Sequence, residues 1–209
     1  MLVTAAHVLE GIKGETGTLL LRQKNADGTY KPFLYDIPIR DKKGGALYVK
    51  HASADVVAMY VRIPNTVAIP LLTTNLIAND KTISDLEIHP GDELLCLGYP
   101  FGLPVNDWGF PILRSGIISS YPLTPATAVK FIGFDFRVYG GNSGGPVYFK
   151  YSNRSYSRGT HLGETVHGII GLVTQQVEDP NSKTPISLAR IVPGQFIVET
   201  VNLLPEPIP

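Results

Sequence analysis

Short apolar runs recur along the whole chain, and Gly, Pro, Asn or Asp residues separate one run from the next. Runs of this length that are rich in β-branched and aromatic residues predict β-strands. In the first half we expect strands at 16–22, 33–39, 46–51, 56–63 and 93–98. In the second half we expect strands at 112–120, 129–135, 145–150, 166–174 and 187–192. The pattern therefore predicts an all-β protein with many turns.

The apolar pattern changes in three places. Residues 62–92 and 100–111 contain scattered prolines and asparagines, and we expect irregular structure there. Beyond Pro193 the apolar residues have the spacing of one helix face, at Phe196, Ile197, Val201 and Leu204. We therefore expect a short C-terminal helix that packs on the body of the protein, followed by a proline-rich tail at 205–209.

Composition narrows the classes of function. The 209 residues include 18 basic and 18 acidic ones, and the basic residues never cluster beyond a pair, so we expect no nucleic-acid or membrane partner. No stretch approaches the ~20 apolar residues that span a bilayer. The single cysteine, Cys96, lies in an apolar run, where a buried, unreactive thiol is expected. The five histidines lack metal-ligand spacing, so we expect no metal site and no cofactor.

The segment at 140–146, GGNSGGP, places glycines on both sides of Ser143. Because glycine has no Cβ, such a segment can turn sharply, expose the serine hydroxyl and bring main-chain N–H groups to a neighbouring point. Acyl transfer needs these features, a protruding nucleophile and a site for the oxyanion. A tight turn without chemistry is the alternative that the glycines alone allow.

A histidine and an aspartate can complete this chemistry. His7 follows small residues at the end of an apolar run. Asp55 follows three small residues and opens the apolar run 56–61, so its carboxylate can be partly desolvated and hold the imidazole. The other aspartates between His7 and Ser143 lie in polar or turn-like contexts, where solvated carboxylates are expected.

The chain order His7, Asp55, Ser143 is that of double-barrel peptidases and differs from the order in subtilisins and α/β-hydrolases. The chain also resembles the trypsin-like serine peptidases at their three signature segments, here 4–7 (TAAH), 55–58 (DVVA) and 141–146 (GNSGGP).

Two further segments resemble the HtrA/DegP-like peptidases within this class, 97–103 (LGYPFGL) and 114–119 (RSGIIS). The resemblance implies a chymotrypsin-like fold of two packed six-stranded antiparallel barrels. The first barrel would comprise residues 1–98, and the second barrel, with the C-terminal helix and tail, residues 99–209.

The resemblance and the chain order together imply a serine endopeptidase that acts through an acyl-enzyme. Ser143 would attack the peptide carbonyl, His7 would accept and return the proton, and Asp55 would hold the His7 tautomer. The main-chain N–H groups of Gly141 and Ser143 would bind the oxyanion. The expected partners are polypeptide substrates.

Five substrate-binding residues are implied by alignment of the motifs: Arg137 and Val138 on one wall of the primary pocket, and Val173, Thr174 and Gln175 on the other, where they would pair with the substrate backbone. If Arg137 points into the pocket, it would bind an acidic side chain or a C-terminal carboxylate. Alternatively, Arg137 points outward or pairs with Asp135. HtrA-like enzymes prefer small aliphatic side chains, which is the other expectation for specificity.

The start of the chain departs from the family pattern, because only Met1, Leu2 and Val3 precede Thr4, where relatives have about two strands. We therefore expect an incomplete first barrel with an unpaired edge. Either the sequence is truncated, or the natural chain is this short and its first barrel is rebuilt by a partner or left disordered. The alternative function is a catalytically impaired peptide-binding or interaction module. A general esterase is disfavoured by the order of the three residues.

Overall fold

The computed structural model describes residues 1–67, 69, 71–152, 154–157, 159–160, 163 and 165–206. The strands are β1 Leu2–Thr4, β2 Thr16–Lys24, β3 Tyr30–Pro38, β4 Val49–Lys50, β5 Val57–Met59, β6 Glu93–Gly98, β7 Ile112–Ile118, β8 Ile132–Asp135, β9 Pro146–Ser152, β10 Ser155–Tyr156, β11 Gly159–Thr160, β12 Thr165–Glu178 and β13 Pro185–Pro193. The helices are α1 Ala6–Glu10, α2 Asp80–Asp85, α3 Ala126–Val129 and α4 Gly194–Val201, with short 3-10 turns at Thr74–Leu76 and Pro100–Gly102. The all-β class is confirmed. Within the described ranges, every helix is too short or too polar to cross a membrane.

Six strands form a closed antiparallel barrel in the order β12-β13-β8-β7-β6-β9. Burial alternates along its strands, so that in β6 Leu94 and Cys96 are buried whereas Glu93 is exposed. The barrel core contains the large buried side chains Phe134 and Phe149 together with many aliphatic ones. Full burial of each such side chain contributes about 1.5–3 kcal/mol. The loop that carries Ser143 leads directly into β9 of this well-packed barrel.

Within the described residues, the first half of the chain does not close into a barrel. Strands β1, β5 and β4 form one sheet, and β2 and β3 form a separate hairpin. A smaller apolar core holds the two together and includes Leu9, Ile37, Ile39, Val57 and Met59. In the described part of the chain, the outer edges of β1 and β2 have no partner strand. The expectation of an incomplete first barrel is confirmed.

The predicted C-terminal helix is present as α4, and it joins the two halves of the chain. Its residues Phe196 and Ile197 are buried in one cluster with Val56, which precedes β5, and with Leu172 and Val192 of the barrel. Because this cluster contains residues from both halves, it fixes their relative position.

Three expectations about secondary structure differ from the structure. The strand at 93–98, expected in the first barrel, is β6 of the closed barrel, because its alternating apolar residues complete that core between β7 and β9. The strand expected at 129–135 begins only at Ile132, since α3 runs to Val129 and is followed by Lys130, which has a left-handed φ of +63°. The region 62–92 contains α2, whose first turn is capped by Asn79. The division into units at 1–98 and 99–209 stays a prediction.

Candidate active site

His7 and Asp55 lie in direct contact. His7 Nδ1 is 2.6 Å from Asp55 Oδ2, and the main-chain N–H of His7 donates to Asp55 Oδ1 over 2.9 Å. The main-chain N–H of Ala6 donates to the Asp55 carbonyl over 3.3 Å. Because a carboxylate only accepts hydrogen bonds, the proton of the neutral ring lies on Nδ1, and Nε2 is left as the acceptor.

The local fold explains this contact. Strand β1 leads into α1 through Ala5 and Ala6, which are buried and too small to separate α1 from the turn that carries Asp55. The side chains of His7 and Asp55 remain 47% and 30% exposed. The pair therefore lies at the surface, where a substrate can reach it.

The loop that carries Ser143 depends on two glycines in the left-handed region. Gly141 has φ +92° and Gly144 has φ +77°. A Cβ on Gly141 would lie 2.0 Å from the Tyr99 carbonyl oxygen, and a Cβ on Gly144 would lie 2.0 Å from Thr4 Oγ1. Any other residue type at these positions would have to move the loop. Ser143 thus lies on a tight turn that is packed between Tyr99 and Thr4.

Strand β12 links the Ser143 loop to the histidine side of the site. The main-chain N–H of Gly144 donates to the Val173 carbonyl over 2.8 Å. The next residue, Thr174, lines a depression of about 320 Å³ together with His7. The His7 ring and the Ser143 hydroxyl make no hydrogen bond to each other within the described ranges. Such contacts often tighten only when substrate binds.

Several main-chain donors of the loop have no acceptor among the described residues. Of the described residues, none accepts a hydrogen bond from the N–H of Gly141 or of Ser143. The N–H of Gly140 likewise has no acceptor in the described part of the chain, whereas Asn142 donates to the Tyr139 carbonyl over 3.0 Å and Gly145 donates to the Asn142 carbonyl over 2.9 Å. The available donors thus include one at Ser143 and one two residues earlier, at Gly141, which an oxyanion could use.

The two residues expected on the first wall of the primary pocket differ in exposure. Val138 is buried, and its N–H donates to the side-chain oxygen of Gln176 over 2.6 Å. Arg137 is exposed, and its guanidinium carbon lies 6.0 Å from the centre of the Tyr139 ring. Arg137 and Asp135, both in the described part of the chain, form no ion pair with each other.

The three residues expected on the second wall belong to β12. Val173 and Thr174 are buried, whereas Gln175 lines the depression beside His7. The pairing of β12 with β9 ends at Leu172, so beyond Val173 this side of β12 has no neighbouring strand in the ranges that the structure describes. An extended polypeptide can add to such a strand edge.

A larger groove of about 860 Å³ reaches Ser143 from the open side of the first half. Residues of β1 and β2, among them Leu19 and Leu21, line one part of it, and Gly141 and Pro146 line another. The groove lies between the outer edges of β1 and β2.

The described residues contain no group of three His, Cys, Asp or Glu side chains that could hold a metal ion. Burial raises the pKa of the Cys96 thiol from 9.0 to about 12, so this cysteine stays protonated and unreactive at neutral pH.

Two polar side chains outside the motifs support the site. Gln176 holds Val138 against β12. Arg22 donates to the Tyr99 hydroxyl over 2.8 Å, which ties the β2–β3 hairpin to the turn that packs against Gly141. Neither residue belongs to a motif, and each contact joins segments that are distant in the chain, so the sequence gives no signal for them.

Comparison with known proteins finds similarity at the level of structure. No protein-family model and no curated protein sequence matches the chain. The structure is similar to that of an HtrA-type protease, AlgW with decapeptide, at 18% identity and a TM-score of 0.47. The match covers 96% of this chain and 46% of the AlgW chain, so this chain spans about half the length of that protein.

Proposed function

We propose that the protein is a serine endopeptidase, with Ser143 as nucleophile, His7 as general base and acid, and Asp55 as the carboxylate that orients His7. The observation that carries the proposal is the 2.6 Å contact between His7 Nδ1 and Asp55 Oδ2. It leaves Nε2 as the basic nitrogen, which is the state that a general base beside a serine requires.

The proposed reaction proceeds through an acyl-enzyme. Ser143 Oγ bonds to the substrate carbonyl carbon while its proton passes to His7 Nε2, and the N–H groups of Gly141 and Ser143 bind the oxyanion. The imidazolium then gives the proton to the leaving amine as the C–N bond breaks. Water then attacks the acyl carbon while His7 takes its proton, and the bond from that carbon to Ser143 Oγ breaks as His7 gives the proton to Oγ, which releases the acid product. In comparable sites each oxyanion donor contributes about 2.7–4 kcal/mol to catalysis.

The proposed substrate is an extended polypeptide that adds to the open side of β12 beyond Val173, at Thr174 and Gln175, because the main-chain groups of Val173 already pair with Gly144 and Gly145. For the residue before the scissile bond, the motif resemblance to HtrA/DegP-like peptidases favours a small aliphatic side chain, whereas the exposed Arg137 favours an acidic one. Matched peptides with valine or glutamate at that position separate the two expectations. Loss of hydrolysis of the glutamate peptide alone in Arg137→Ala would assign acidic specificity to Arg137.

A non-catalytic peptide-binding module is the second candidate function. It is favoured by the first half, which does not close and leaves the outer edges of β1 and β2, among others, without a partner strand in the described residues. Because the outer edge of β1 is unpaired and β1 leads into α1, His7 would be held weakly and would be a poorly positioned base.

Labelling with a fluorophosphonate probe separates the two functions, because such probes react with a serine only when its base and oxyanion site are assembled. We expect the wild-type chain to be labelled, and Ser143→Ala and His7→Ala to remain unlabelled. Labelling that persists in Ser143→Ala would place the reactive group elsewhere. A folded wild-type chain that is not labelled but still binds peptides would favour the binding module.

A further inference from the structure

His51 lies inside the turn that carries Asp55, and its ring is held at both nitrogens. Its side chain is buried, and Nδ1 accepts the main-chain N–H groups of Ser53 over 3.1 Å and Ala54 over 2.9 Å. The other ring nitrogen, Nε2, is 2.9 Å from Glu199 Oε2. Because two donors point at Nδ1, the proton of the neutral ring lies on Nε2 and is donated to Glu199.

The hydrogen bonds from Ser53 and Ala54 to the His51 ring hold the turn closed. The ends of the turn are joined by the main-chain N–H of His51, which donates to the Val56 carbonyl over 3.0 Å. Val56 in turn donates to the Ala54 carbonyl over 2.9 Å. Asp55 lies between these anchored residues, so the direction of its side chain depends on the closure of the turn.

The C-terminal helix α4 fixes the outer side of the His51 ring. The Phe196 ring lies 4.9 Å from the His51 ring, measured between centres. Glu199 is oriented by Gln195, whose amide donates to Glu199 Oε1 over 2.8 Å. The hydrogen bond from Gln195, and then the one from His51, hold the pKa of Glu199 below its ordinary value. A carboxylate thus faces His51 from the helix that joins the two halves of the chain.

We propose that His51, anchored by Glu199, is a positioning residue for Asp55. By holding the turn closed, it directs the Asp55 carboxylate at His7 and so maintains the Nδ1-protonated tautomer that catalysis needs. This inference rests on the proposed function. It assigns to α4 a role in the chemistry although α4 contributes no residue that touches the reacting groups.

Two substitutions at His51 distinguish a role in positioning Asp55 from simple packing of the His51 side chain. In His51→Asn the new side chain can accept from the N–H groups two and three residues later, as the His51 ring does, because asparagine at the start of a turn forms such bonds readily. His51→Leu has a similar volume but no acceptor. We expect Ser143 labelling to slow by about tenfold in His51→Leu, roughly the effect of one lost hydrogen bond, and by less than about threefold in His51→Asn. In peptide hydrolysis the loss should appear in kcat rather than in KM.

The tautomer of His7 provides a readout that does not need a reactive serine. Ring ¹⁵N chemical shifts, measured in a Ser143→Ala background at a pH high enough to deprotonate the imidazolium, report the fraction of His7 protonated at Nδ1. We expect this fraction to fall in His51→Leu and to be kept in His51→Asn. If the wild-type chain is not labelled but the tautomer responds in this way, the proposed function fails while the positioning role stands.

Equal labelling rates and equal His7 tautomers in wild type and His51→Leu would overturn the inference. If His51→Leu does not fold, Glu199→Ala decides, because Glu199 is only partly buried and its loss frees the ring without removing the turn's acceptor. We expect labelling about threefold slower in Glu199→Ala, with a smaller Nδ1-protonated fraction. No change in either quantity would overturn the proposal.

Discussion

Gly144 packs against Thr4 so closely that a Cβ on the glycine would lie 2.0 Å from the threonine hydroxyl oxygen. The two residues are far apart in the chain, and each lies next to a proposed catalytic segment, Thr4 before His7 and Gly144 after Ser143. The contact therefore links the barrel loop to the sheet of the first half. A change at this contact should alter both the stability of the fold and the reactivity of Ser143.

Gly144→Ala should destabilise the protein and abolish Ser143 labelling. The left-handed backbone alone costs a residue with a Cβ about 1–2 kcal/mol, and the clash with Thr4 adds to this. Gly140→Ala is the matched control, since a Cβ at Gly140 meets nothing within 4 Å. Urea unfolding should show Gly140→Ala within about 0.5 kcal/mol of wild type. Equal stability and labelling in both variants would contradict the close approach of Gly144 to Thr4.

Asp55→Asn should reduce the rate of peptide hydrolysis by on the order of 10⁴-fold, because an amide facing His7 Nδ1 favours the wrong ring tautomer. Folding should be retained, since the asparagine can still accept the main-chain N–H of His7. The measurements are kcat/KM for a peptide substrate and the circular dichroism spectrum of the variant. A variant with nearly wild-type activity would remove Asp55 from the mechanism.

Asp92→Asn should destabilise the barrel by about 3 kcal/mol, the usual cost of breaking a buried ion pair. Asp92 Oδ2 is 2.7 Å from Arg154 Nη2, and the two side chains are only 12% and 11% exposed. The control is Lys81→Ala, which removes the exposed pair between Lys81 and Asp85 and should cost less than about 0.5 kcal/mol. Equal losses of unfolding free energy in the two variants would show that the buried ion pair stabilises the protein no more than the exposed one does.

Cys96 should resist alkylation by iodoacetamide at pH 8 in the folded protein and react once urea unfolds it. Burial raises the pKa of its thiol to about 12 from 9.0, so the folded state disfavours the thiolate. The unfolded chain loses this proton first as pH rises, and stability from this group is therefore present below pH 9 and lost between about pH 9 and 12. Cys96→Ala should show a weaker decline of the urea midpoint over this range. Rapid alkylation of the folded chain would contradict the burial.

Local patterns explain why much of the fold could be predicted. The strands β2, β3, β7, β9, β12 and β13 coincide with apolar runs, because alternating burial is visible in a few consecutive residues. Helix α2 could not be expected on apolar spacing alone, since its six residues bury only Ile83. The membership of β6 in the closed barrel also has no local signal, because a strand with one buried face can pair with either half.

The sequence by itself determined the strand-rich class and the glycine-flanked turn at Ser143. It also limited the candidates for the base and the carboxylate to a few residues. These features follow from turn chemistry and apolar alternation, which are properties of neighbouring residues. Only the tertiary structure decided that Asp55 meets the ring of His7 across 48 residues, that Gly144 packs on Thr4, and that His51 is held by Glu199. Such contacts have no local signature. They exist because the barrel, the two-part first half and α4 pack around shared apolar clusters, and that packing depends on the whole chain at once.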